Sequence, residues 1–229
     1  APRDCPEQPA GRFSATGAKA TLTTGDGVIA QCLSIPADAH TNAEVFQLVA
    51  TSGTALAKFT VLDSTGKQIC DRLPTTNGWT VCSLTPGKAH TVLVTGRDLP
   101  ATYTLTRRDI TATAASAGCT PTPAQKVGGP SVKGTYDAPG TLRCHQITTD
   151  AATDVVHVDV RDALGTANIS VLRGDGSTEC SFRNRSCAVT GSTTHQVLVQ
   201  TPAPSSYTYQ WKADGKAISG ATAPTYTIA

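Results

Sequence analysis

Eight cysteines spread along a 229-residue chain, none of them in C-x-x-C spacing, constrain its fold more than any other feature. They stand at Cys5, Cys32, Cys70, Cys82, Cys119, Cys144, Cys180 and Cys187. An even count without metal-type spacing points to disulfides formed in an oxidising compartment, not to zinc or redox chemistry. The cysteines also repeat. Cys5 to Cys119 is 114 positions, Cys32 to Cys144 is 112, Cys70 to Cys180 is 110 and Cys82 to Cys187 is 105. An offset that only shrinks is what a duplicated domain gives when its second copy has shorter loops.

The residues between the cysteines repeat as well. Ala57-Lys-Phe-Thr-Val-Leu-Asp-Ser-Thr-Gly-Lys-Gln-Ile-Cys70 lies without gaps over Ala167-Asn-Ile-Ser-Val-Leu-Arg-Gly-Asp-Gly-Ser-Thr-Glu-Cys180. His90-Thr-Val-Leu-Val94 lies over His195-Gln-Val-Leu-Val199, and Tyr103-Thr-Leu-Thr106 over Tyr207-Thr-Tyr-Gln210. Two domains are therefore expected, 1–112 and 113–229, joined through the small-residue stretch Thr111 to Gly118. Pro121, Pro123 and Gly128-Gly129-Pro130 suit an extended lead-in to the second copy.

Aromatic residues make up 5% of the chain and methionine is absent, so two thin cores are easier to fill than one large one. Val45–Val49, Lys58–Leu62, Thr91–Val94 and Ala101–Leu105 are short, rich in β-branched or aromatic residues and separated by Gly or Pro turns. Their counterparts are Val155–Val160, Asn168–Leu172, Gln196–Val199 and Ser206–Gln210. No segment has the pattern of an amphipathic helix. The expected fold is all-β: two tandem antiparallel β-sandwiches, stapled by disulfides. Local pairing, the same in both copies, would join Cys5 to Cys32, Cys70 to Cys82, Cys119 to Cys144 and Cys180 to Cys187. Each closure contributes about 2–4 kcal/mol in the chain-entropy account, which matters for small cores.

The formal net charge is +2, with ten basic and nine acidic residues up to Ala115 and nine and eight after it. Neither half has the basic face that nucleic acid requires. No run approaches the roughly 20 apolar residues of a membrane span. The chain opens Ala-Pro-Arg-Asp-Cys, as expected of a mature secreted product after removal of a signal peptide.

An apolar strand, a V-L-x-x-x-G strand ending in Cys, a second Cys, a V-L-V strand and a final Y-T-L strand follow one another from Cys32 to Thr106, and again from Cys144 to Gln210. This order resembles the bacterial pre-peptidase C-terminal (PPC) type of domain. The resemblance implies a non-catalytic β-sandwich attached to a secreted enzyme or surface protein, assisting binding or secretion. Calcium-binding members collect carboxylates at the mouth of the domain. Only Asp4 and Glu7 stand there in the first copy and none in the second, which weighs against a metal. The tail Tyr207–Thr222 resembles the middle of a bacterial immunoglobulin-like repeat, with Trp211 as core Trp and Asp214-Gly215 as hairpin turn. It is either part of a truncated or fused repeat or an extra hairpin on the second domain.

No catalytic set stands out. The five histidines form no H-x-x-x-H or H-E-x-x-H pattern. His90 and His195, which lead into equivalent strands, are expected to be structural, and His157 to face solvent. Ser14, Ser34, Ser52 and Ser131 lie in no G-x-S-x-G elbow. Asp26 and Asp175 read as turn residues. The segments between the hairpin cysteines are the candidate recognition loops. The first carries Arg72, a turn-forming Asn77-Gly78 and Trp79; the second carries Phe182, Arg183 and Arg185. Trp and Arg are enriched in binding hot spots. The expected function is a secreted or surface-associated, non-catalytic module that binds a protein or polysaccharide and needs no cofactor. A structural spacer and a protease or hydrolase inhibitor are the alternatives.

Overall fold

The computed structural model describes residues 4–14, 16–111, 118–122, 134–136, 138, 140–149, 153–157, 161–162, 167–181, 186–200, 205–208, 212–213 and 216–217. Contacts divide the chain into two units, Ala1–Gly118 and Cys119–Ala229. All regular structure among the described residues is β-strand.

The first unit comprises β1 (Ala10–Gly11), β2 (Ala20–Thr24), β3 (Ala30–Ile35), β4 (Ala43–Ser52), β5 (Ala57–Leu62), β6 (Gln68–Thr75), β7 (Asn77–Ser83), β8 (His90–Thr95) and β9 (Ala101–Asp109). One sheet has the order β3-β8-β5-β6; the other is β1-β9-β4-β7, with β2 also on β9. Both supply one core, in which Leu33, Phe59, Val61, Val92 and Val94 meet Leu22, Phe46, Leu48, Tyr103 and Leu105. β8 follows the half-buried strand period: His90, Val92 and Val94 are buried, and the residues between them only partly so. Tyr103, fully buried, donates its hydroxyl to the Ala55 carbonyl at 2.8 Å, so its polar end is satisfied.

The second unit comprises β10 (Thr120–Pro121), β11 (Gly134–Tyr136), β12 (Leu142–Thr148), β13 (Thr153–His157), β14 (Arg161–Asp162), β15 (Asn168–Arg173), β16 (Thr178–Ser181), β17 (Ser186–Thr190), β18 (Thr194–Gln200) and β19 (Ser205–Thr208). Its largest sheet, β10-β12-β18-β15-β16, repeats the order β3-β8-β5-β6. The registers repeat too. Cys32 faces Leu93 and Cys144 faces Leu198; Lys58 faces Thr95 and Asn168 faces Gln200. The irregularity between Val61 and Leu62 recurs between Val171 and Leu172. A one-residue slip would turn every side chain to the other face, so matched registers mean matched cores. In the tail, β20 (Lys212–Ala213) and β21 (Lys216–Ala217) pair antiparallel as a separate two-stranded sheet. Trp211 and the intervening Asp214-Gly215 lie outside the described residues.

The disulfides are Cys5–Cys32, Cys70–Cys82, Cys119–Cys144 and Cys180–Cys187, the local pairing expected, and no cysteine is free. Cys5–Cys32 and Cys119–Cys144 tie each lead-in segment to β3 and β12. Beyond them the lead-ins run parallel to those strands, through Glu7 on Ser34 and Pro121 on Gln146. Cys70–Cys82 does something different: β6 and β7 are edge strands of opposite sheets, and the bond closes the sandwich between them. Cys180–Cys187 joins β16 to β17 in the same way.

At the other side of the first core, a buried ion pair replaces hydrocarbon. Nη1 of Arg107 is shared between both Glu44 oxygens at 3.0 Å, with side-chain exposures of 1% and 4%. Nε of Arg107 donates to the Gln8 carbonyl, and the Gln8 amide donates to the Leu105 carbonyl, which pins the lead-in onto β9. Burial raises the Glu44 carboxyl above its ordinary value despite the lowering by Arg107. Desolvation thus outweighs the attraction, as is common for buried pairs. In the sequence repeat, Val156 and Trp211 align with Glu44 and Arg107.

Two outcomes follow from this packing. Removing Cys70–Cys82 by a double Cys→Ala change should lower stability by about 2–4 kcal/mol in urea titration. Glu44→Val alone strands the Arg107 charge and should cost about 3–5 kcal/mol. Adding Arg107→Trp should recover part of that loss, whereas additive losses in the cycle would refute the idea that the two positions exchange as a pair.

Candidate functional site

The equivalent histidines hold the fold in two different ways. His90 is 1% exposed, its Nε2 accepts from the Thr85 amide at 3.3 Å, and its ring meets His40 edge-on at 4.9 Å between centroids. Burial pushes its pKa down, with the His40 charge adding to the effect. His195 is 0% exposed and has an acceptor near each nitrogen: Glu179 Oε2 lies 2.8 Å from Nδ1, and Nε2 donates to the Thr190 carbonyl at 2.8 Å. The Glu179 contact is close but too bent to count as a hydrogen bond. The residue that makes the difference is Glu179, which stands where the first copy has Ile69. Its other oxygen accepts from Nε of Arg173 at 2.9 Å and from the Thr190 amide at 3.0 Å.

Thr149 Oγ1, 3.4 Å from His195 Nε2, completes a Thr-His-Glu series that has the order of a nucleophile, base and acid. The arrangement cannot act on a substrate. The histidine is fully enclosed, and the threonine hydroxyl already faces the Thr190 and Thr193 carbonyls at 3.1 and 3.3 Å. Its work is to tie the β17–β18 turn to the end of β12. His40 is half-buried, with its ring nitrogens on the Thr41 and Lys88 carbonyls. His145 is 8% exposed on β12. The side chain of His157 lies outside the described residues. Among the described residues no group of three or more His, Cys, Asp or Glu is placed to hold a metal.

The first candidate recognition segment is strand, not loop. Arg72 lies in β6, Asn77 and Trp79 in β7, and Thr76 alone separates the two strands. Asn77-Gly78 is not the turn: the chain reverses at Thr75-Thr76, where Thr75 Oγ1 accepts from the Asn77 amide at 3.1 Å. The reason is that the two strands belong to opposite sheets. The connection arches across the sandwich edge and stays extended, where a hairpin within one sheet would need a tight primed turn. Gly78 has another use. A Cβ there would stand 2.7 Å from Nε of Arg72, so the missing side chain makes room for Arg72 to close the sandwich edge. Trp79, the next residue, points to the opposite face of β7 by strand alternation. It is half-buried opposite Gln47, whose amide donates to Asn77 Oδ1 at 3.4 Å. Arg72 and Trp79 therefore do not share a surface. Phe182, Arg183 and Arg185 lie outside the described residues.

On the same outer face of that sheet, Arg108 of β9 is held without a carboxylate among the described residues. It donates to Gln47 Oε1 at 2.9 Å and to the Arg12 carbonyl at 3.2 Å, and lies 5.3 Å from the Phe13 ring centre. Burial lowers its pKa to about 10. These contacts fix the floor beside Trp79. Sequence reading overlooked both this arginine and Glu179. The gapless match of Ile69 with Glu179 beside the paired histidines was the available signal for the latter.

Burial alone would raise the Glu179 carboxyl, but hydrogen bonds from Arg173 and the Thr190 amide and the His195 charge bring it below its ordinary 4.5. A lowered carboxylate contributes stability that is fully present above the unfolded value and fades as pH falls through the folded one. Acid unfolding of the second unit should therefore shift to higher pH in Arg173→Ala, which removes a lowering partner. An unchanged midpoint in a near-ultraviolet acid titration would refute this role.

No known protein family matches the chain, and no curated protein matches it in sequence. Among solved structures, the pre-peptidase C-terminal domain of a Bacillus anthracis collagenase is 9% identical with a TM-score of 0.37, over 47% of this chain and 98% of that one. The tandem CBM51 modules of a family 98 glycoside hydrolase from Streptococcus pneumoniae are 8% identical with a TM-score of 0.28, over 86% of each chain. At these values the likeness is to a coarse β-sandwich arrangement and assigns neither family nor activity.

Proposed function

We propose that this chain is a secreted, non-catalytic accessory module, built of two tandem domains of common ancestry, that recognises a protein or polysaccharide from a rigid β-sandwich. The observation that carries the reading is the use made of the chain's reactive groups. His90, His195, Glu44, Glu179 and Arg107 are enclosed and committed to holding strands together. Trp79 stands half-buried on the outer face of a strand clamped by Cys82 and floored by the Gln47–Arg108 contact. An aromatic side chain held beside fixed amide groups loses little entropy on binding a partner. The four disulfides agree with an oxidising, extracellular setting. No helix among the described residues is long and apolar enough to cross a membrane.

Trp79→Ala should leave the thermal midpoint within a few degrees of the parent and weaken retention on the cognate material by roughly tenfold or more. Pull-downs on bacterial cell walls, purified polysaccharides and host matrix, each with a parallel melt, provide the measurement. Undiminished retention on every material that holds the parent chain would refute the assignment. Stoichiometric inhibition of a secreted protease would favour the inhibitor reading instead.

A further inference from the structure

The two ends of the first sandwich are chemically unlike. Val28, Ile29, Leu56, Leu73 and Leu99 are the exposed large aliphatic residues among those described, from 39% for Val28 to 72% for Leu73. All five cluster at one end, where β2 leads to β3, β4 to β5 and β8 to β9, and where β6 finishes. The opposite end, with its connections over 36–42, 63–67 and 84–89, exposes none. Isolated surface aliphatics need no explanation, whereas a cluster on one rim does.

The aliphatic end is also rigid. Gly25 and Val28 exchange backbone hydrogen bonds at 3.0 and 3.1 Å around Asp26 and Gly27, whose φ values of 54° and 83° give the two-residue hairpin turn. Asp98 Oδ1 accepts from the Gly27 amide at 2.9 Å, Thr24 Oγ1 donates to the Leu99 carbonyl at 2.8 Å, and the Gly96 amide donates to the Ile29 carbonyl at 2.9 Å. Two connections, β2–β3 and β8–β9, are thereby locked to each other, with Val28, Ile29 and Leu99 exposed on them.

Beside them lies a shallow groove of about 190 Å³, lined by Leu56, Lys58, Pro74, Thr95, Gly96 and Arg97. It has two cations and no acid. Lys58 and Arg97 are exposed, and neither is ion-paired among the described residues. The fold does not require this chemistry, as the repeat makes plain. The equivalents of Leu56 and Lys58 are Thr166 and Asn168, those of Val28-Ile29 are Gly140-Thr141, and those of Thr95-Gly96-Arg97 are Gln200-Thr201-Pro202. The strands beneath keep their order and register in both copies. What one copy has and the other lacks, on a common scaffold, answers to something outside the scaffold.

We infer that this end of the first unit docks an extended acidic peptide segment of a partner protein, an aliphatic side chain seated against Leu56 and Pro74 and flanking carboxylates on Lys58 and Arg97. The charge of the lining selects an acidic partner, and the small volume admits a single side chain. The groove includes neither Trp79 nor Arg72, so this inference and the Trp79 reading stand or fall separately.

The test uses the full chain and three synthetic peptides: a Leu flanked by Glu on both sides, the same peptide with Lys for Glu, and the Glu peptide with Gly for Leu. Fluorescence anisotropy measures affinity, and amide chemical shifts locate the contact. The Glu-Leu peptide should move the Leu56, Thr95, Gly96 and Arg97 signals. It should bind roughly tenfold more tightly than either control. Lys58→Glu combined with Arg97→Glu should abolish the preference for Glu over Lys while the melt is unchanged. Leu56→Ser should weaken the Glu-Leu peptide to the level of the Gly control. No saturable shift, equal binding of the Lys peptide, or an unaltered preference in the double variant overturns the inference. So does capture of the chain by anionic phospholipid vesicles, or self-association in sedimentation, that Leu56→Ser removes.

Discussion

The bond between β6 and β7 governs the rest of the first unit. These strands follow each other with a single residue between them, yet they lie at the edges of opposite sheets. A chain that crosses a sandwich in so few residues leaves an open seam, and a core with only Phe46, Phe59 and Tyr103 as aromatics has little bulk to fill it. Cys70–Cys82 closes the seam covalently, and Arg72 lies over Gly78 beside it. With that edge fixed, β5 and β4 are held one strand in from it, each by a ladder to its edge strand, and the registers of β8 and β9 follow. The second unit has shorter connecting loops but the same bond in the same place.

The internal repeat separates what the sandwich needs from what it tolerates. Strand order, register and the irregularity after Val61 and Val171 persist, while the polar interior does not. One copy pairs Glu44 with Arg107 in its core, and the aligned residues in the sequence of the other are the apolar Val156 and Trp211. One keeps a desolvated histidine against a second ring, and the other sets the equivalent histidine among Glu179, the Thr149 hydroxyl and the Thr190 carbonyl. A buried charge pair and an apolar pair of similar volume differ little in net stability. Either can therefore become established, provided both members change.

Much of this was legible in the residues. The cysteine offsets carried the pairing, the Val-Leu-Val and Tyr-Thr-Leu runs became β8 and β9, and Gly25-Asp-Gly27 formed the turn its composition suggested. The segment from Asp71 to Val81 was misread because Asn77-Gly78 has the chemistry of a primed hairpin turn. That chemistry decides the fold only when the flanking strands share a sheet, and sheet membership is set by partners far away in sequence. β2 and β3 escaped notice for a related reason. Ala20–Thr24 and Ala30–Ile35 carry few large apolar residues and become strands by pairing with β9 and β8. Glu179 was visible as a residue but not as a partner, because its burial depends on the end of β17 passing over it.

Exposed aliphatic residues ordinarily count against a surface, since they raise the tendency to self-associate and contribute nothing to the core. Here Val28, Ile29 and Leu99 stand on two connections tied to each other through Asp98, Thr24 and Gly96, with Leu56 and Leu73 at the same end. Had the end merely tolerated them, the ties between loops would bring nothing in return, because a floppy tip hides its apolar side chains more easily than a fixed one. Rigidity and exposure make sense together only if the side chains must be found in one arrangement by something else. A scaffold of this kind permits this, because the bonds that keep the sandwich closed lie in its edge strands and lead-in segment, so the residues at one rim can change without loosening the core beneath them.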